Sequence, residues 1–331
     1  GRPARPADSG KAPGRPSEGQ RTAAGGSYGK NRLYPSAQGH PSRASAAEGE
    51  EGLTLRYADL HCDALSAGPP RAFLRGKKTA VSFDKLVGGG CFLQCFAIFT
   101  PDGDPRAARE MLAAYRRERA GLEAAGVTPV LTVENGGIFA RDAKLLDELR
   151  RAGLKMSGFT WNGENELGFP CGAAGGLKYP GRRLAEALFA RGIYADVSHL
   201  SDGGFDDLAA IAACFRVPLV ASHSLARAVC PHPRNLTDGQ IREIARSGGL
   251  VGVNFVREFI GEKGIFAHIR HILNVGGEEI LAIGTDFDGT ENPLYAGADE
   301  MPRFFDDLAA AGISFSVAEK LAFRNAERLF L

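Results

Sequence analysis

Histidines and carboxylates follow short apolar runs at four places in this 331-residue chain. The first run ends in DLHCD, which contains His61 and Asp63, and later runs end at Glu134, His199 and His223. Imidazole nitrogens and carboxylate oxygens are the ligands that zinc and related divalent ions take in proteins. Each residue alone is more often structural. Together, three imidazoles and two carboxylates suit two Zn²⁺ ions, which the two oxygens of Glu134 could bridge.

The spacing of His61 and Asp63 favours a shared role as metal ligands. Residues i and i+2 of a strand point to the same side, so both can bind one ion while Cys62 points away. Two metal ions about 3.5–4 Å apart hold a bridging water and lower its pKa, so that it can attack a carbonyl carbon. That chemistry needs a proton acceptor that later serves the leaving amine. Asp286 in IGTDFDG is the candidate, and Asp288 is assigned either to the turn or to a place behind the reacting groups.

One arginine is placed to bind the substrate. Arg234 lies in the proline-fixed loop CPHPRNL, eleven residues after His223. A guanidinium is a rigid planar fork that matches the two oxygens of a carboxylate. Arg234 is therefore predicted to bind a substrate carboxylate, whereas His232, between two prolines, is assigned a structural role.

The apolar runs alternate with longer amphipathic segments, which is typical of a parallel sheet with helical crossovers. The eight runs are 53–63, 91–100, 128–136, 154–162, 194–201, 218–224, 249–255 and 279–289. The amphipathic segments include 104–126, 206–215 and 236–249. Eight units in about 280 residues predict an α/β fold, a (β/α)8 TIM barrel whose strand ends meet at one rim. The alternative, an open doubly wound sheet, would carry a glycine-rich loop where His61 and Asp63 stand.

Composition excludes several classes of function. Lys and Arg number 40 and Asp and Glu number 39, and the resulting net charge of +1 argues against a nucleic-acid partner. The sequence contains no run of about 18 apolar residues, so no membrane helix is expected. It has no apolar stretch near its start, so no signal peptide is expected either. Six cysteines without a CxxC pair are typical of free thiols in a reducing compartment. A cytoplasmic location is therefore expected.

Residues 1–52 differ from the rest of the chain. They are rich in Gly, Pro, Ser, Ala and Arg and contain no Val, Ile, Phe or Met. Such a segment cannot bury enough apolar surface to offset its ordering entropy. We predict a disordered tail over 1–52 and a single barrel domain over 53–331.

Taken together, the motifs resemble the membrane (renal) dipeptidase family, in a soluble bacterial form. The resemblance runs from about residue 53 to 330 and includes Asn325, in a segment similar to the family's closing helix. It is carried by DLHCD (59–63), the Glu134 segment, DVSHLSD (196–202), ASHSLARAVCPHPRNL (221–236) and IGTDFDG (283–289). It implies a metal-dependent amidohydrolase-type barrel with two Zn²⁺ ions, which hydrolyses dipeptides by a metal-bridging hydroxide.

The resemblance also implies roles for individual residues and a class of substrate. His61 and Asp63 would bind one zinc ion. Glu134 would bridge to the second, held by His199 and His223. Arg234 would bind the C-terminal carboxylate of a dipeptide and Asp286 would handle the proton. The family tolerates a D-residue at the C-terminal position, so L-Xaa-D-Xaa dipeptides are among the expected substrates, and some members open β-lactams. Dimers are common in the family, which leaves a homodimer open.

Three features depart from the mammalian members. Trp161, in FTWNGENELG, stands where they have a substrate-contacting histidine. An indole neither accepts a proton nor binds a metal, but its N–H can donate to substrate. The stretch from Asp63 to Glu134 is short, as in compact bacterial forms, and no hydrophobic tail follows Leu331, so no lipid anchor is expected.

Two other functions are compatible with the sequence. Another amidohydrolase with two metals, such as a deaminase, a lactonase or a hydrolase of β-lactams and other amides, would use the same barrel. Deaminases and lactonases usually carry an HxH pair on the first strand and often a carbamylated lysine. Here the pair is HxD, and Lys155 does not end its run. A non-enzymatic barrel would show loss of metal ligands, and all five are present.

Overall fold

The computed structural model describes residues 55–69, 72–76 and 78–331, and in this part of the chain eight parallel strands close into a barrel in chain order. Each predicted run holds one strand, so the predicted (β/α)8 barrel is confirmed. The predicted tail over 1–52 lies outside the described residues and stays a prediction. The strands are β1 (Tyr57–Cys62), β2 (Cys91–Ile98), β3 (Thr128–Val133), β4 (Leu154–Ser157), β5 (Tyr194–Asp196), β6 (Leu219–Ala221), β7 (Leu250–Val253) and β8 (Leu281–Ile283).

Helices surround the barrel and link the strands. The predicted amphipathic segments 104–126, 206–215 and 236–249 correspond to α2 (Pro105–Ala124), α6 (Asp202–Phe215) and α7 (Asp238–Ser247). Helix α7 starts with a capping box at Thr237 and ends at Gly248, which has a left-handed φ of 75°. The helices are α1 (Phe83–Gly88), α2 (Pro105–Ala124), α3 (Gly137–Arg141), α4 (Lys144–Arg151), α5 (Tyr179–Phe189), α6 (Asp202–Phe215), α7 (Asp238–Ser247), α8 (Arg257–Ile260), α9 (Ile265–Gly276), α10 (Met301–Ala310), α11 (Phe315–Glu319) and α12 (Asn325–Phe330). None of those described is long and apolar enough to cross a membrane.

The core has two layers. The larger one packs the helices against the outside of the barrel. The smaller one fills the inside with residues from seven strands, namely Ala58, Leu60, Leu93, Cys95, Val130, Met156, Val220, Leu250 and Ala282. Phe330 and Ala326 of α12 join the inner layer, and Asn325 Nδ2 donates to the Glu278 and Leu281 carbonyls at 2.8 Å each. Helix α12 therefore closes one end of the barrel, and the carboxyl ends of the strands form the rim at the opposite end.

An irregularity in β1 directs its last residues to that rim. Asp59 pairs with Gln94 of β2 and Cys62 pairs with Phe96, so β1 contains one extra residue over this interval. Such a bulge changes which face each following side chain occupies. Leu60 consequently belongs to the inner layer and Cys62 to the outer one.

Three neighbouring strands approach so closely that two glycines are required. A β-carbon on Gly252 of β7 would lie 1.9 Å from the carbonyl oxygen of Ser222, and one on Gly284 would lie 1.8 Å from the same atom. Real β-carbons do not approach backbone oxygen so closely. The rim of the barrel around β6, β7 and β8 therefore depends on the absence of side chains at these positions.

We expect Gly252→Ala to lower the free energy of unfolding by about 2–3 kcal/mol, because the methyl group overpacks a site bounded by backbone. Gly121→Ala is the matched control, since Gly121 is exposed in α2 and its β-carbon would meet its nearest neighbour at 4.0 Å. That control is expected to gain about 0.5–1 kcal/mol from helix propensity. Urea denaturation of both variants measures the difference, and equal stabilities would contradict the close packing.

Candidate metal centre

The structure brings the five predicted metal ligands together at the rim where the strands end. Each lies at or just beyond the carboxyl end of a strand, which is where the predicted apolar runs placed it. His61 is in β1, Asp63 and Glu134 directly follow β1 and β3, and His199 and His223 follow β5 and β6 within three residues. All five are buried. The carboxyl ends of parallel barrel strands converge, which places residues from distant parts of the chain in one small volume.

One half of the centre is formed by His199, His223 and Glu134. His199 Nε2 lies 2.8 Å from Glu134 Oε1 and 3.0 Å from His223 Nε2, and Glu134 Oε1 lies 4.0 Å from His223 Nε2. The His199 Nδ1–H donates to Asn162 Oδ1 at 3.1 Å, so Nε2 of the neutral ring carries the lone pair. This lone pair faces a carboxylate oxygen at hydrogen-bond distance, an arrangement that calls for a cation or a proton between them.

The other half is formed by His61, Asp63 and Asp286. His61 Nε2 lies 3.3 Å from Asp63 Oδ2 and 3.8 Å from Asp286 Oδ1. These three residues offer ligand atoms that all lie within 4.8 Å of one another, and so do His61, Glu134 and His223. The His61 ring stacks on the His223 ring with a centroid distance of 3.9 Å, which joins the two halves.

Two further observations show that the residues fit metal ions. Asp63 Oδ1 is buried and has no hydrogen-bond partner among the described residues, so one oxygen of this carboxylate is free to bind an ion. A β-carbon on Gly289 would lie 2.3 Å from both Asp286 Oδ1 and Asp63 Oδ2. Glycine thus keeps the space between the two carboxylates open, and the nitrogen and oxygen donors around it are those that zinc prefers.

Burial and mutual repulsion shift the acid–base behaviour of the carboxylates. Burial raises the pKa of Glu134 well above its usual range, and the Asp63 carboxylate raises it further. Burial likewise raises the pKa of Asp286. Burial alone would lower the pKa of His61, but the carboxylates of Asp63, Glu134 and Asp286 outweigh it and raise the pKa to about 10. Without bound metal, His61 therefore supplies the positive charge at the centre of the cluster.

The other two imidazoles behave in the opposite way. Burial lowers the pKa of His199 and of His223 well below the usual range, and the positive charges of Arg234 and His61 lower both further. Both rings are therefore neutral at physiological pH. Neutral imidazole is the form that binds a metal ion.

Two buried carboxylates that sequence reasoning did not single out hold the strand ends in place. Asp59 accepts hydrogen bonds from Thr285 N at 2.9 Å, Thr285 Oγ1 at 2.7 Å and His61 N at 3.2 Å, which ties β1 to the segment after β8. Asp196 accepts from the backbone and side chain of both Ser198 and Ser222, which ties β5 to β6. One feature of the sequence could have identified them: each is an acidic residue inside an apolar strand, two or three residues before a predicted metal ligand.

The predicted proton acceptor, Asp286, is held in a constrained conformation. Asp286 and Asp288 have left-handed φ values of 61° and 65°. Asn254, a third residue that sequence reasoning missed although it lies near the end of the seventh run, donates from Nδ2 to Asp286 Oδ2 at 3.2 Å. The carboxylate of Asp288 accepts hydrogen bonds from Ala80 N and Val81 N. Such backbone conformations cost energy and cluster at functional sites.

Arg234 lies beside the metal centre, where it was predicted to bind a carboxylate. Its Nη2 donates to His199 Nε2 at 3.0 Å, whereas its Nε and Nη1 are buried without partners in the part of the chain that the structure describes. The side chain stacks over Phe259 at 5.5 Å, and His232 packs on the same ring at 4.6 Å and accepts from Arg234 N. A guanidinium that is only 5% exposed, with two donating nitrogens unsatisfied, is prepared for an anion.

Trp161 forms a wall between two cavities. One, of about 220 Å³, contains the metal centre and is lined by Glu134, His199 and Arg234 among others. The other, of about 670 Å³, is lined by polar residues of the loops that follow β2, β3 and β4. Trp161 and Asn162 line both, and the indole packs on Phe99 at 4.9 Å. The predicted substrate-binding position of Trp161 is therefore next to the site.

A family model described as membrane dipeptidase, peptidase family M19, matches residues 110–330. The chain belongs to this family. It is accordingly a hydrolase of the metallo-dipeptidase type, as the sequence motifs predicted. The matched segment contains Glu134, His199 and His223, whereas His61 and Asp63 precede it.

Similar proteins support the assignment, and the solved structures do so over a longer part of this dipeptidase-family chain. A Klebsiella pneumoniae relative, described as an uncharacterized protein in the pqqA 5′ region, is 37% identical over 215 residues, which are 59% of this chain and 78% of the relative. The crystal structure of the M19 metallopeptidase dipeptidase AC is 26% identical with a TM-score of 0.75, covering 84% of this chain and 98% of that one. A metallopeptidase from Rhodobacter sphaeroides, liganded with a phosphinate mimic of the dipeptide L-Ala-D-Ala, is 26% identical with a TM-score of 0.74, covering 83% and 98%.

In this dipeptidase-family protein, we expect Gly289→Ala to weaken metal binding by roughly 10- to 100-fold, the range typical of changes beside a metal centre. The new methyl group would occupy the space between Asp63 and Asp286. Gly163→Ala is the control, because a β-carbon there meets no described atom within 4 Å. Competition with a chromogenic chelator measures both affinities, and retention of full affinity by Gly289→Ala would contradict the location of the site.

Metal binding is expected to release protons at neutral pH. His61, with its pKa near 10, is protonated in the metal-free protein, and a ligating imidazole must be neutral. The apparent affinity should therefore rise between pH 6.5 and 8.5, by up to about tenfold per unit for each proton released. Calorimetric titration of zinc in buffers of different ionisation enthalpy measures this release. Binding without proton release would contradict the charge state assigned to His61.

Proposed function

We propose that the protein hydrolyses dipeptides with a free C-terminal carboxylate, using two Zn²⁺ ions. His61 and Asp63 would hold one ion and His199 and His223 the other, with Glu134 shared between them. When bound, the ions would activate a water molecule and polarise the scissile carbonyl. The observation that carries the proposal is the buried, unsatisfied guanidinium of Arg234 directly beside this cluster of donors.

Arg234 sets the length of the substrate. Its guanidinium contacts the ring of His199, so an anchored carboxylate lies within a few ångströms of the metal ligands. One residue spans at most about 3.6 Å, so the peptide bond nearest the cluster is the last one of the chain. The cavity has a volume of about 220 Å³, which favours small substrates.

Asp286 is the group that would move the proton. It faces His61 at 3.8 Å, and burial raises its pKa toward the range in which a carboxyl both accepts and returns protons. Asn254 fixes the second oxygen, which leaves Oδ1 directed at the reacting centre. Asp286 would take a proton from the attacking water and deliver it to the leaving amine.

Trp161 would limit the space for the substrate on the side of the larger cavity. Its indole N–H can donate to the substrate but can take no part in proton transfer. The Rhodobacter sphaeroides neighbour is liganded with a mimic of L-Ala-D-Ala, which supports including L-Xaa-D-Xaa dipeptides among the substrates.

A panel of L-Xaa-L-Xaa and L-Xaa-D-Xaa dipeptides tests the proposal, with metal content determined on the same sample. We expect two zinc ions per chain and turnover that chelation removes and zinc restores. Turnover that survives complete removal of metal would refute a metal-dependent reaction. Two bound metals without cleavage of any dipeptide would refute the substrate class and favour another amide.

Arg234→Ala provides the matched test of carboxylate recognition. Hydrogen bonds to charged groups contribute about 1.5–3 kcal/mol, so kcat/KM for a dipeptide should fall roughly 10- to 100-fold. The dipeptide amide, which lacks the charge, should lose much less. Arg234→Lys keeps the charge without the fork and should show an intermediate loss. An unchanged preference for dipeptide over amide would assign the carboxylate to another residue.

A further inference from the structure

The deepest metal ligand is connected to a buried carboxylate through a hydroxyl. His223 Nδ1 lies 2.7 Å from Ser222 Oγ, and Ser222 Oγ in turn contacts Asp196 Oδ2. Ser222 and His223 are fully buried and Asp196 is 5% exposed. We propose that Asp196 and Ser222 are positioning residues that hold the proton of the neutral His223 ring on Nδ1. This proposal takes the metal-ligand role of His223 from the proposed function.

Counting protons determines the direction of each hydrogen bond. Asp196 receives hydrogen bonds from Ser198 N at 3.0 Å, Ser198 Oγ at 2.7 Å, Ser222 N at 2.9 Å and Ser222 Oγ. A carboxylate accepts all four without carrying a proton of its own. The single proton of the Ser222 hydroxyl is then committed to Asp196, and only its lone pairs face His223.

The same count fixes the tautomer of the histidine. Because Ser222 Oγ can only accept from the ring, His223 Nδ1 must be the donor. A neutral imidazole has one N–H, so Nε2 is left with its lone pair. That atom lies 3.0 Å from His199 Nε2 and 4.0 Å from Glu134 Oε1, inside the metal centre. The reverse tautomer would place a hydrogen where the ion belongs.

The second imidazole of this half is supported differently. His199 Nδ1 donates to Asn162 Oδ1, and Asn162 is exposed in the cavity wall, where water can replace it. Ser222 has no access to water, so its loss leaves His223 Nδ1 without an acceptor. An unpaired buried donor is costly, and the ring gains nothing by keeping its proton on Nδ1. The structure therefore assigns orientation of the metal-binding nitrogen of His223 to Ser222.

Nitrogen-15 NMR of histidine-labelled, metal-free protein measures the tautomer directly, with His223→Gln identifying the signal. We expect the Nδ1–H form in the wild type and an appreciable Nε2–H population in Ser222→Ala. Ser198→Ala is the control, because it removes another hydroxyl donor from the same carboxylate. Ser198 Oγ lies 3.2 Å from Ser222 Oγ and accepts from His223 N, but it contacts neither ring nitrogen of His223. The Nε2–H form in the wild type would overturn the proposal, even if Ser222→Ala did not fold.

Zinc affinity, measured by chelator competition, gives a second readout that does not use activity. Ser222→Ala should bind the second zinc ion roughly 10- to 100-fold more weakly, as is typical when the partner of a ligating histidine is lost. Wild-type affinity in Ser222→Ala, or an equal loss in Ser198→Ala, would overturn the proposal. A wild-type protein that binds no metal would instead refute the proposed function, while the tautomer measurement still decides the hydrogen-bond direction.

Discussion

Charge balance at the rim of the barrel is the constraint on which the site depends. Three buried carboxylates, Asp63, Glu134 and Asp286, each have an oxygen within 4.8 Å of a His61 nitrogen, and uncompensated burial of such groups costs several kcal/mol. In the metal-free protein, a protonated His61 and the guanidinium of Arg234 provide the opposing charge. Two of the carboxylates, Asp63 and Glu134, are proposed ligands of divalent cations, so the energetic cost of the metal-free arrangement would be a source of metal affinity.

Such a cluster needs strands that cannot separate under its repulsion. Asp59 and Asp196 supply this rigidity, because each is a buried carboxylate whose hydrogen bonds join two strand ends. Their charges are met by backbone and hydroxyl donors that belong to the fold itself. The barrel thus contains two kinds of buried carboxylate: one kind is satisfied within the fold, and the other is left for cations.

Much of this architecture could be predicted from the sequence, because strand-end positions and apolar periodicity are local properties. The eight strands, the convergence of His61 with Glu134 and the placement of Arg234 beside them follow from the alternation and from the barrel. The extra residue in β1 could not be predicted, since it depends on the register against β2. The roles of Asp59 and Asn254 were missed for the same reason, because their partners belong to strands distant in sequence.

The lone pair of His199 links the metal centre to substrate recognition. It lies on Nε2, because Nδ1 donates to Asn162, and it accepts from Arg234 Nη2 at 3.0 Å. A lone pair serves one strong partner at a time, so ligation of an ion by His199 removes the acceptor of Arg234. The guanidinium, whose Nε and Nη1 already lack partners among the described residues, would then have no acceptor for Nη2 either. A carboxylate would satisfy such a fork, so under the proposed function recognition of the substrate would be strongest when the metal centre is complete.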